Sequence, residues 1–165
     1  MLHIQHVSFL KITPLKVWSA LTDLEGYQHW NPRIRLSGKA SLGAVVDYSI
    51  DTNRFGKTLA ATATIITYDK PVEFAWRTGL NGILLFEDSY KIAVDPAGTR
   101  LLHELRFSGV FAWLWYGLMK RRLIKGLIAE DMALERQMRR QTIEPTSTRT
   151  QRRADKRATS GRKGR

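Results

Sequence analysis

His103 stands in the run Leu101-Leu102-His103-Glu104-Leu105, where successive side chains of a strand point to opposite faces. An imidazole facing inward among leucines can do two things. It can move protons near neutral pH, or it can anchor a core through hydrogen bonds. Asp88 has the same inward parity in residues 83–94, together with Leu84, Phe86, Tyr90, Ile92 and Val94. Tyr48 has it in an earlier segment, beside Val46 and Ile50. His103 and Asp88 are therefore the weakly marked candidates for acid–base work, with tyrosine hydroxyls to assist. Each has a plainer role: His103 as a hydrogen-bonded core residue, Asp88 as a solvated or ion-paired group, and Tyr48 and Tyr90 as strand residues reaching water.

Other catalytic signatures are missing from the sequence. His3 and His6 fall on different faces of one strand, and His29 and His103 stand alone, so no metal site is expected. The chain has no glycine-rich phosphate loop and no Gly-x-Ser-x-Gly elbow, and no cofactor is expected. It has no cysteine, which excludes disulfides and thiolate ligands.

Strand parity also names the walls of an apolar pocket: Tyr48, Trp76, Phe86, Tyr90, His103, Leu105 and Phe107 on a sheet, with Trp30 near the mouth. Many apolar groups and a few oriented polar ones make the usual lining of a small-molecule site. Trp18 reads as core, and Asn31 as a turn-former rather than a ligand.

The elements that must position these residues follow from the spacing. Residues 2–12 alternate as a strand. Thr13-Pro14 opens a short helix whose buried stripe is Val17, Trp18, Ala20 and Leu21. Asp23 caps a second short helix through Leu24 and Tyr27, which Pro32 ends. Strands are expected at 44–52, 58–68, 72–78, 83–94 and 100–107, separated by turn-forming residues at 53–57, Asp69-Lys70-Pro71, Asn81-Gly82 and Asp95-Pro96-Ala97-Gly98. After Gly109 the period becomes helical. Ile124, Leu127, Ile128, Leu134 and Met138 share one face of a helix over about 111–141, continuous or broken near Gly117. The economical arrangement is an α+β fold: a curved antiparallel sheet of about seven strands around the long C-terminal helix, with a cavity between them.

The element order, with Val17-Trp18-Ser19-Ala20-Leu21-Thr22-Asp23, Trp30-Asn31-Pro32 and the segment from Thr99 to Gly109, resembles the START/Bet v1-like (SRPBCC) helix-grip superfamily. Within it, the chain is similar to the bacterial polyketide cyclase/dehydrase and lipid transport-like proteins, over about residues 1–140. The resemblance implies a domain over 1–144 that binds or carries a lipid-like, aromatic or polyketide-like molecule. The alternative it implies is a cyclase or dehydratase using the pocket His or Asp. Such relatives often place a Glu two residues after the strand His, on the same face. Here that position is Leu105, and Glu104 faces the other way, so a receptacle is favoured over a reaction vessel.

Charge separates the two ends of the chain. Of the net +12, residues 145–165 hold +7: eight Lys or Arg against Asp155. This stretch has no apolar periodicity and is expected to be a disordered tail. Arg152, Arg153, Lys156 and Arg157, with Lys120, Arg121 and Arg122, would attract polyanions such as RNA, a ribosome or an anionic membrane. The tail has no aromatic to stack on bases, which argues against sequence-specific nucleic-acid binding. Before those arginines, Phe111, Trp113, Trp115 and Tyr116 form an apolar run. It suits a helix start packed across the pocket entrance, the favoured reading, or else a membrane interface or a dimer contact. The run has ten residues, about half of the ~20 that span a bilayer. With no signal peptide in evidence, a cytoplasmic protein is expected, peripheral to the membrane at most.

Overall fold

Alternating β-branched and aromatic residues, punctuated by glycine and proline, fold into one seven-stranded antiparallel sheet. The structure is a computed structural model. It describes residues 2–51 and 58–160, with side chains through residue 140. In chain order the elements are β1 (Leu2–Leu10), α1 (Pro14–Thr22), α2 (Tyr27–Trp30), β2 (Ile34–Ser37), β3 (Val45–Asp51), β4 (Thr58–Asp69), β5 (Glu73–Leu80), β6 (Leu84–Asp95), β7 (Gly98–Ser108) and α3 (Ala112–Ser160). The strands lie in the order β1-β7-β6-β5-β4-β3-β2, and the α+β architecture expected from the spacing, an antiparallel sheet with a long C-terminal helix, is the one observed. A register shift between Ile65 and Thr67 marks a bulge in β4, the kind of irregularity that bends a strand. Helix α3 lies mainly against β1 and β7, and α2 also touches it.

Local departures have local causes. Pro14 does start α1, but Thr13 makes no side-chain cap. Asp23 does not cap α2. Its carboxylate accepts the Gly26 amide at 3.2 Å, and the helix begins only at Tyr27. Strand β2 was not expected at all. It is four residues long, too short for alternation to register, and its signal is pairing with β3, Ile34 opposite Ile50 and Leu36 opposite Tyr48. Helix α3 runs on to Ser160, past the end expected near residue 141. Val94, expected inside, is 83% exposed because it stands at a strand end. The turn expected at 53–57 lies outside the described residues, as do the side chains of the basic tail from 145 onward.

The interior divides into two apolar clusters. The larger joins Trp18 of α1 and Tyr27 of α2 to Leu10, Phe74, Trp76 and Tyr90 of the sheet, and reaches Leu134 and Met138 of α3. The smaller holds Ile4, Phe107, Ala112 and Leu127, with Phe86 and Leu105 half-buried against it. His103, Asp88, Glu130 and Asp131 are buried but belong to neither cluster.

Candidate functional site: a buried polar centre

Register brings the polar centre together. On β7, His103 pairs with His6 of β1 on one side and Tyr90 of β6 on the other. Asp88, two residues before Tyr90, keeps the same face. The fourth wall is α3, where Glu130 and Asp131 follow Leu127 by three and four residues and so continue its buried stripe.

His103 is wholly buried, and both ring nitrogens are engaged. Nδ1 donates to Asp131 Oδ1 at 2.7 Å, and Nε2 to Asp88 Oδ1 at 2.8 Å. The other oxygen of Asp131 lies 2.5 Å from His6 Nδ1 and accepts from Ser8 Oγ at 3.3 Å. The Tyr90 ring stacks on the His103 imidazole at 4.0 Å. Glu130 Oε2 accepts from Asn31 Nδ2 at 3.3 Å. Asn31 is also the turn-former it was expected to be, since its Oδ1 accepts the amides of Arg33 and Ile34.

The electrostatics follow from burial and pairing. Burial alone would lower the His103 pKa, but Asp88 and then Asp131 outweigh it and hold the imidazolium up at about 10. Burial pushes Glu130 up to about 7, against the opposing pull of His103 and Arg33. Arg33 can come close because residue 126 is glycine. A side chain there would run into the guanidinium. Burial, then Asp88 and Glu130, raise the hydroxyl pKa of Tyr48 and hold that of Tyr90 well above its usual range. The Tyr90 hydroxyl and the Trp30 indole N–H are buried without a hydrogen-bond partner among the described residues.

A scan against protein-family models matches residues 1–140 to the family described as polyketide cyclase / dehydrase and lipid transport. The chain belongs to that family. No curated protein matches it. Solved structures share its fold at low identity. Protein MLL2253 from Mesorhizobium loti is 17% identical, with a TM-score of 0.66 over 84% of this chain and 98% of that one. NE0264 from Nitrosomonas europaea is 12% identical, with a TM-score of 0.68 over 86% and 96%. TTHA0849 from Thermus thermophilus is 16% identical, with a TM-score of 0.64 over 82% and 95%.

Within this polyketide cyclase/dehydrase and lipid transport fold, the residues expected to wall one pocket fall into two groups. Trp30, Trp76 and Tyr90 join the larger cluster, with Tyr48 half-buried at its edge. Phe86, Leu105 and Phe107 join the smaller, and His103 lies between the two. Many of these rings touch: Trp76 to Tyr90 at 5.7 Å, and Phe86 to Phe107 at 5.5 Å. An open groove of about 350 Å³ runs past Glu25, Gln28, Arg35 and Asp47, and of the expected walls only Tyr48 lines it.

Two expectations need correcting. His103 does not stand alone, and Leu105 does not deprive it of an acid. Asp88 pairs with Leu105 across the β6–β7 ladder and supplies the carboxyl from the neighbouring strand. Asp88, His103 and Glu130 each bring a potential ligand atom within 4.8 Å of the others, a donor set able to hold a metal ion. In the geometry observed, the two His103 ring nitrogens lie at hydrogen-bond distance from Asp88 and Asp131. Glu130, Asp131 and His6 were missed from the sequence. Their signal was a polar residue at a buried-stripe position in each of two elements.

Proposed function

We propose that this domain holds a small molecule non-covalently, one with an apolar body and a polar head. The class is lipid-like, aromatic or polyketide-like. The carrying observation is the polar centre between two apolar clusters, where the Tyr90 hydroxyl is buried without a partner among the described residues. Unpaired buried donors are rare and costly, and a ligand's polar head would satisfy this one. The family, whose description includes lipid transport, supports the same reading. The lack of cysteine suits a cytoplasmic carrier.

Native mass spectrometry of the purified chain, followed by solvent extraction, tests the proposal. A bound small molecule is expected, retained less well by Tyr90→Phe. That variant removes only an unpaired hydroxyl, so the fold should be as stable as before or slightly more so. Equal retention by both proteins would remove Tyr90 from the site.

The buried Glu130 favours a second reading, a cyclase- or dehydratase-like enzyme. With its carboxyl at about 7, it suits proton transfer at neutral pH better than His103, which stays protonated and doubly bonded. Turnover of a genuine substrate that survives Glu130→Gln would end this reading.

A further inference from the structure

The apolar run before the arginines does not pack across a pocket entrance. Ala112 is buried, but Trp113 is 71% and Leu118 73% exposed, and Val110 and Phe111 are exposed with them. The adjoining β5–β6 turn adds Leu80 and Ile83, both exposed. Two backbone hydrogen bonds join the segments into one surface, from Val110 N–H to the Gly82 carbonyl and from Phe111 N–H to that of Ile83, each 3.1 Å. Gly109 makes this approach possible. It holds φ 104°, and a Cβ there would come within 2.5 Å of the Ile83 carbonyl oxygen. Soluble domains seldom leave so large an apolar patch in water unless something docks on it.

Charge identifies the occupant. Lys120, Arg121, Arg122 and Lys125 follow within two helical turns, all exposed, and no acid occurs from residue 110 to residue 129. A second copy of the chain meeting this patch symmetrically would set two cationic clusters side by side, at an electrostatic cost. A nucleic acid would satisfy the charges and leave Trp113, Leu118 and Leu80 in water. A bilayer with anionic headgroups satisfies both. We propose that this end of the domain docks on an anionic membrane surface, with Phe111, Trp113 and Leu118 at the acyl boundary and Lys120, Arg121 and Arg122 among the headgroups. No helix among the described residues is long and apolar enough to cross a membrane, so docking is on the surface.

The experiment is vesicle flotation of the full chain with phosphatidylcholine vesicles, with and without phosphatidylglycerol, keeping the basic tail in every variant. Binding is expected to the anionic vesicles, and brominated acyl chains should quench tryptophan fluorescence there. Trp113→Ser with Leu118→Ser should weaken binding about tenfold or more, and Lys120→Gln with Arg121→Gln and Arg122→Gln about a hundredfold. Leu42→Ser, on a 69% exposed residue outside the patch, should change nothing and controls for folding. Unchanged binding by the Trp113/Leu118 variant would overturn the proposal and leave simple polyanion attraction. So would a dimer that this variant dissolves in sedimentation, with no vesicle binding by the parent chain.

Discussion

Aromatic residues crowd two regions of this sheet, and the two treat them in opposite ways. Where α1 and α2 cover the sheet, Tyr27, Phe74 and Trp76 are at most 1% exposed, and their rings touch in series: Tyr27 to Trp76 at 6.0 Å, and Phe74 to Trp76 at 5.5 Å. At the start of α3, Phe111, Trp113 and Trp115 are all exposed, although Trp115 still leans on Phe86 at 6.2 Å. What separates the regions is cover. Two short helices close the first, and nothing among the described residues closes the second. Composition therefore says that aromatics gather, while the neighbouring elements decide whether they stabilise the fold or face outward to meet something else.

Truncation separates the regions most sharply. Trp76→Ala should cost about 3–5 kcal/mol in urea unfolding, because a large cavity opens in a closed core. A loss under 1 kcal/mol would mean that this end is loosely packed. Next comes the polar layer between the regions. His103→Ala leaves Asp88 and Asp131 without the cation they share, and should destabilise by about 3–5 kcal/mol. A loss well below that, with the fold intact, would show that solvent reaches the site.

The same layer sets the pH dependence. Glu130 rises from 4.5 to about 7 on folding, so the native chain keeps a proton that the unfolded chain gives up, and stability falls through that window. His103 rises from 6.5 to about 10, so its contribution is complete below 6.5 and is lost as pH climbs through 10. Unfolding free energy should therefore decline from about pH 4.5 to pH 10. Glu130→Gln should flatten only the lower limb, worth on the order of 3 kcal/mol. An unaltered slope between pH 4.5 and 7 in that variant would reassign the titration. The smallest effect belongs to the open end: Trp113→Ala should change stability by no more than about 0.5 kcal/mol. A larger loss would mean that the exposed ring packs on something in solution.

Much of the fold was legible because strand parity and turn residues are local properties. Val46, Phe74, Trp76, Ile92, Leu101 and Phe107 all face inward where alternation puts them. The site was half legible for the same reason. Asp88 and His103 sit on strands whose parity can be read, whereas their partnership depends on which strands lie side by side. Asp131 and Glu130 escaped because an amphipathic face is marked by its apolar residues, and a charged residue on it leaves no periodic signal. His6 escaped because a mixed strand hides a polar inward position between Ile4 and Leu10. Trp113 was misjudged because hydrophobicity signals burial only when another surface arrives to provide it.

Asp131 has a mechanical consequence as well. The first turns of α3 carry large apolar side chains on several sides, among them Trp113, Leu114, Tyr116 and Leu118, so contact at that end gives the helix little reason to prefer one roll about its axis, and the later stripe of Leu127, Leu134 and Met138 sets it only coarsely. A single carboxylate gripping the imidazoles of two adjacent strands does give it one. Rolling α3 by one residue would move Asp131 off both His6 and His103 at once, and would lift Leu134 and Met138 from the core with it. The charge thus acts as a key in a shaft: it fixes the angle at which α3 meets the sheet, and with it the direction in which Trp113 and the arginines point.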